Sequence, residues 1–172
     1  MILKKVTNIL SLPNFTTLVT TLRRQPFHFM ALGFGSGLAP IAPGTFGTLA
    51  AIPLYLLLAQ TPLWIYGFIV VLAFAVGIHC CRVTADHLGV HDHPAIVWDE
   101  IVGYWLTMIA VPLAWQWLLI GFVLFRFFDI VKPWPIGWVD SRIDGGLGIM
   151  LDDVLAAIYA WLCLQLIILT IA

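Results

Sequence analysis

Between Arg24 and Arg82 the chain carries no formally charged side chain. Positions 25–81, 57 residues, are neutral apart from His28 and His79. A soluble fold needs polar side chains every few positions to cover its outer faces, and a stretch like this does not supply them. Two more uncharged runs, 101–125 and 154–172, approach or exceed the roughly 20 residues that a helix needs to cross a bilayer. With 62% hydrophobic and only 10% charged residues, the composition excludes an ordinary soluble domain and predicts an all-α integral membrane protein. The net charge of −1 is no guide to partners, because the charge is segregated rather than balanced. The expected partner is the lipid bilayer; no nucleic-acid partner is expected, and the oligomeric state is not legible.

Residues 1–25 hold Lys4, Lys5, Arg23 and Arg24, half of the basic residues, and are broken by Asn8, Pro13 and Asn14. With no small-residue cleavage site they read as a basic interfacial or disordered leader rather than a signal peptide. Residues 26–172 then form a single membrane-embedded domain. The stretch 26–48 is too rich in Gly and Pro for a regular spanning helix, and 26–44 is either a re-entrant segment or a full crossing. A helix is expected at 49–59, interrupted by Pro53, with a turn at 60–62 and a span at 63–81. Polar loops are expected at 82–98 and 132–151, and a last span from 154 to about 171. The run 101–125 is either one crossing or a hairpin turning near 112–117, where Pro, Gln and two Trp suit a membrane interface.

Charge arbitrates between the two. With the hairpin there are five crossings, and the leader and both polar loops share one side. All eight Lys and Arg then fall on that side, and the opposite turns carry none, which is the positive-inside pattern. The expected architecture is therefore a compact bundle of about five short transmembrane or re-entrant helices with two polar cytoplasmic loops. A full crossing within 26–44 would reverse this parity.

All nine acidic residues lie between Asp86 and Asp153, most of them where apolar segments begin or end. Carboxylates at membrane depth are costly and mark function by default. Asp99–Glu100 opens one segment; the helix dipole favours acids there, but the pair exceeds what a cap needs. Gly103 would leave room beside them. Arg126, Asp129 and Lys132 recur every three residues at a helix end before Pro133. Asp129 is disfavoured by that end's dipole and needs a cation, either a metal or Lys132. The segment Asp144-Gly-Gly-Leu-Gly leads to Asp152–Asp153, of which capping explains one, and its glycines suggest tight turns or close approach to a ligand. Pro43-Gly44-Thr45 opens a helix whose N-terminus could receive an anion. His87, His91 and His93 read as solvated loop residues rather than metal ligands, and Cys80, Cys81 and Cys163 as small core hydrophobes.

Repeated carboxylates at one membrane surface, with a Lys, an Arg and an anion-friendly helix start, suit Mg2+ and phosphate chemistry. Magnesium takes oxygen ligands and binds through a few carboxylates plus substrate phosphate. The basic groups would answer the charge of the phosphoryl group as it transfers.

The segments GFGSGLAPIAPGTFGTLAAIP (33–53), HDHPAIVWDEIVG (91–103), FRFFDIVKPWPI (125–136) and GGLGIMLDD (145–153) resemble the bacterial phosphatidylglycerophosphatase A family over roughly residues 27–160. The resemblance implies a magnesium-dependent phosphatase of the bacterial inner membrane, its site facing the cytoplasm, that converts phosphatidylglycerophosphate to phosphatidylglycerol and inorganic phosphate. It implies Asp99, Glu100, Asp129, Asp152 and Asp153 as metal ligands. Asp99, Glu100, Asp129, Lys132 and Asp153 are the expected catalytic residues, and Thr45, Arg126, Lys132, Gly145 and Gly146 the expected substrate contacts. An activated water and an aspartyl nucleophile are both compatible with this set. Two rivals fit less well. A CDP-alcohol phosphotransferase would continue Asp144-Gly145-Gly146 into Ala-Arg and spaced aspartates, which are absent. A cation transporter or channel would place acids near the midplane in paired repeats, whereas here they gather at one edge.

Overall fold

The computed structural model describes residues 15–171. Residues 1–14, most of the expected leader, lie outside the described part. The described residues are all-helical, with no strand among them: α1 (Phe15–Arg24), α2 (Pro26–Ala31), a 3-10 turn (Gly33–Leu38), α3 (Pro43–Leu58), α4 (Leu63–Leu88), α5 (Trp98–Thr107), α6 (Trp115–Val131), α7 (Ile136–Asp140) and α8 (Gly145–Ile171). Two of them, α4 and α8, are long and apolar enough to cross a membrane. At 1.5 Å per residue they span about 39 and 40 Å.

Several boundaries differ from the sequence expectation, each for a local reason. Helix α3 starts at Pro43 and runs unbroken through Pro53. A proline removes one backbone hydrogen bond, which packing along a buried helix can outweigh. Helix α4 continues past Cys81 to Leu88 and stops at Gly89 in the left-handed conformation (φ 70), so Arg82, Asp86 and His87 are helical and the polar loop shrinks to 89–97. Helix α8 starts at Gly145 rather than at 154. Asp152 and Asp153 thus lie about two turns inside it and cap nothing. Within 26–44 the helical pieces are six residues each, too short to cross. The run 101–125 does break, between Thr107 and Trp115.

Contacts fix the directions of the helices. Glu100 of α5 meets Arg126 of α6, Gly103 abuts Phe125, and Met108 abuts Gly121, so α5 and α6 run antiparallel. Trp98 Nε1 donates to the Ala73 carbonyl at 3.0 Å and Tyr66 Oη to the Trp105 carbonyl at 2.6 Å, so α4 is antiparallel to α5. Gly146 abuts Ile78 and Arg82, Trp161 Nε1 donates to the Ile109 carbonyl at 2.9 Å, and Trp105 Nε1 donates to the Ala51 carbonyl at 3.1 Å. Helices α3, α5 and α8 therefore begin at the end of the bundle where α4 and α6 finish. The break at 108–114 is a helical hairpin, and this arrangement brings the acids of three segments to one end.

The core is contiguous and aromatic, with Tyr55, Tyr104, Phe125, Ile101 and Met108 almost fully buried. Cys80 and Cys81 belong to it. Large apolar side chains also lie exposed along the helices, among them Trp64, Phe68, Leu119, Val123, Leu166 and Leu169. An uncovered apolar belt of this extent marks membrane association. Helix α1 is docked on the bundle by Leu18, which packs with Leu32, Leu88 and Ala95.

Candidate metal-dependent active site

Where α3, α5 and α8 begin and α6 ends lies an open cavity of about 270 Å³. It is walled by Pro43, Gly44, Asp92, Asp99, Glu100, Arg126, Asp129, Lys132, Asp152 and Asp153, among others. Each wall has a sequence cause. On α5 the acids occupy the first turn, Asp99 and Glu100, with Val97 as N-cap and no side-chain cap; the dipole supports them there. On α3 the first turn is Pro43-Gly44, and a Cβ on Gly44 would overlap Glu100 Oε1 and stand 3.0 Å from an Arg126 guanidinium nitrogen. That glycine lets the N-terminus of α3 reach the charged groups. Gly103 leaves no room beside the acids. Its bare face is filled by the Phe125 ring, which a Cβ would meet at 2.6 Å, and this contact draws α6 onto α5.

Asp99 and Asp153 are 8% and 3% exposed, and Asp99, Glu100 and Asp153 each offer an oxygen within 4.8 Å of the others. Like charges held this close in a buried site repel unless a cation or a shared proton lies between them. Asp99 Oδ1, Glu100 Oε2, Asp152 Oδ1 and Asp153 Oδ2 are buried and have no hydrogen-bond partner among the described residues. Buried polar atoms are nearly always paired, so four orphaned carboxylate oxygens facing one cavity fit a hard divalent cation with oxygen ligands.

The two basic residues are already engaged. Arg126 Nη1 lies 2.6 Å from Asp129 and 3.6 Å from Glu100. In the structure Asp129 is paired with its own helix neighbour Arg126, and not with Lys132. Lys132 ends α6 in the left-handed conformation (φ 46), and its Nζ lies 2.6 Å from Asp152 and 2.9 Å from Asp140. Burial works against its charge, but the Asp152 and Asp140 carboxylates outweigh that and hold its pKa above the ordinary lysine value.

The cavity thus gathers Asp99, Glu100, Arg126, Asp129, Lys132, Asp152 and Asp153. Thr45, Gly145 and Gly146 are not among its lining residues. Beside Thr45, it is Pro43 and Gly44 that line the wall. Gly146 is required for packing, since a Cβ there would overlap the Ile78 carbonyl of α4, and the Gly145 amide donates to His91 Nε2 at 2.6 Å. The histidines stand apart. His91 takes that hydrogen bond and His87 stacks on His28 at 4.9 Å. His93 is buried with Nδ1 accepting from the Ala95 amide at 3.0 Å, and burial lowers its pKa. Two acids escaped the sequence reading. Asp92 lines the cavity although its histidine neighbours made it look like hydrated loop; its place seven residues before Asp99 was the available signal. Asp140 reaches the site only through Lys132.

Comparison with known proteins places the chain in a family. The model of the phosphatidylglycerophosphatase A family matches residues 29–168. The phosphatidylglycerophosphatase A of Escherichia coli strain K12 is 51% identical over 135 residues, 78% of each chain. That of Haemophilus influenzae is 51% identical over 138 residues, covering 79% of this chain and 85% of the relative. A Bacteroides thetaiotaomicron protein named, provisionally, as a phosphatidylinositol-3-phosphatase is 44% identical over 138 residues, covering 76% of this chain and 86% of its own. No solved structure matches. The family model covers four-fifths of the chain, including every acid that lines the cavity, and the chain belongs to the phosphatidylglycerophosphatase A family.

Proposed function

We propose that this protein hydrolyses the phosphomonoester of phosphatidylglycerophosphate to phosphatidylglycerol and inorganic phosphate, with Mg2+, at the cytoplasmic face of the bacterial inner membrane. The observation that carries the metal is the set of four buried carboxylate oxygens around one cavity that have no partner among the described residues. Asp99, Glu100 and Asp153 would hold the ion, with Asp152 beside them. When bound, Mg2+ supplies Lewis-acid polarisation of the phosphoryl group and neutralises part of its charge.

The chain's own groups do the rest. The N-terminus of α3, at Pro43–Gly44, presents the positive end of a helix to the cavity and favours a phosphate there. Lys132 and Arg126 face the same space, each tied to carboxylates, so their positions are set before substrate arrives. Preorganised charge of this kind stabilises a transition state without reorganisation. Asp129 holds Arg126 in place and is the neighbour through which that guanidinium is aimed.

The same geometry supports a membrane arrangement. Helices α3, α4, α5, α6 and α8 would make five crossings, some short, with Arg82, Arg126, Lys132 and Arg142 at the cavity end. The positive-inside rule then sets that end in the cytoplasm. The cavity would sit at headgroup depth, and the apolar belt of the helices would face acyl chains. A reporter fused after Ala172 is expected in the periplasm; a cytoplasmic signal would overturn the five-crossing arrangement.

The deciding assay is phosphate release from phosphatidylglycerophosphate in detergent or vesicles. Turnover is expected with Mg2+ and its loss with a chelator, and turnover that ignores chelator would remove the metal. Phosphatidylinositol-3-phosphate serves as the comparison substrate, given the name of the Bacteroides relative.

A further inference from the structure

Lys132 is held from outside the cavity as well as from within. Pro133 stops α6 just after it, and the chain turns back through Pro135 into α7. Ile136 and Val139 are buried and pin α7 down. Gly137 lies against the Lys132 backbone, where a Cβ would stand 3.0 Å from the Lys132 carbonyl oxygen and 3.8 Å from its Cβ. Asp140 is three residues further along, on the same side of α7 as Gly137. From there it accepts a hydrogen bond from Lys132 Nζ at 2.9 Å, opposite the 2.6 Å bond that Asp152 accepts. Asp140 does not itself line the cavity.

We propose that Asp140 is a positioning residue. It shares the Lys132 ammonium with Asp152, so that one N–H remains for the substrate phosphate and Asp152 keeps an oxygen free for the cation. An ammonium has three donors; two are committed, and the third is left for the ligand. Asp152 Oδ1, its other oxygen, is buried and has no partner among the described residues. Without Asp140, Lys132 would settle on Asp152 alone, competing with the cation and drawing back from the phosphate. The closing α7 turn, from Lys132 to Asp140, is then a device for aiming one charge.

This inference rests on the phosphatase reading, and a double-mutant cycle separates the two. Asp140→Asn is expected to lower kcat/KM about tenfold, as a displaced charge does, with the melting temperature in detergent unchanged and with Asp140→Glu recovering most of the loss. Gly137→Ala, which pushes α7 off Lys132 without changing any charge, is expected to act in the same direction. In a Lys132→Met background both substitutions are expected to add less than about twofold, the limit for uncoupled sites. The cycle is read as turnover and as affinity for inorganic phosphate by calorimetry in the presence of Mg2+, so a slow Lys132→Met enzyme still gives a result. If Asp140→Asn leaves kcat/KM and phosphate affinity within about twofold of wild type, or costs as much with Met at position 132, Asp140 does not act through Lys132. A wild-type protein that releases no phosphate from the lipid would instead remove the reading beneath it.

Discussion

The two ends of the bundle use the same helices and solve opposite problems. At the uncharged end, polar atoms meet partners: Tyr66 and the Trp105 indole donate to backbone carbonyls of neighbouring helices, and the Trp161 indole and Gln165 donate to the Ile109 carbonyl of the hairpin turn. At the cavity end, close approach is achieved by missing side chains at Gly44, Gly103 and Gly146, and four carboxylate oxygens have no partner among the described residues. One end is built for stability. The other crowds buried carboxylates together with oxygens that have no partner among the described residues. The contrast shows where this fold gives up stability for function.

The largest expected effect is at the cavity end. Asp153→Asn should lower turnover by more than about 100-fold, beyond what outer-shell partners of a metal typically cost. It should also raise the melting temperature measured without metal, because a like charge leaves a crowded site. Lower stability together with normal turnover would make Asp153 a structural residue. Added Mg2+ should stabilise the wild type by about 2.7 kcal/mol at a hundredfold excess over its Kd, and Asp153→Asn by much less.

Gly44→Ala comes next. Its methyl group would overlap Glu100 and press on Arg126, costing about 1–3 kcal/mol as overpacking does and reducing activity in the folded fraction. Asp92→Asn should raise the Mg2+ concentration for half-maximal rate by up to about tenfold, with little change in folding, since the residue is on an exposed loop. Smallest is Trp161→Phe at the other end. It removes one hydrogen bond, about 1 kcal/mol, and should lower the melting temperature while leaving kcat of the folded enzyme unchanged. A change in kcat there would break the contrast between the two ends.

How far the sequence reached follows the same division. Charge segregation exposed the hairpin and the gathering of the acids, because long-range parity is written in where Lys and Arg occur. The seven charged cavity residues from Asp99 to Asp153 were legible as carboxylate pairs and three-residue spacing at segment ends. What was illegible depended on helix packing. Gly145 and Gly146 looked like ligand loop, but Gly146 is where α8 crosses α4, and composition does not distinguish a glycine bare for a neighbouring helix from one bare for a ligand. The N-terminus of α8 was misplaced because Gly-Gly-Leu-Gly is a poor helix former in isolation, and tertiary contact overrides it. For Asp129 the sequence suggests a metal or Lys132, and the Arg126 partner is missed although it lies at the same three-residue spacing. The left-handed turn at Lys132 sends that side chain to Asp140 and Asp152 instead.

If Asp99, Glu100 and Asp153 surround one divalent ion, the protein should bind Mn2+, a Mg2+ surrogate with the same taste for oxygen ligands, in a titration that follows free ion by electron paramagnetic resonance. The wild type should take up Mn2+ that Mg2+ displaces, and Asp99→Asn and Asp153→Asn should each lose that uptake while remaining folded. Uptake equal to wild type in both variants would contradict that arrangement.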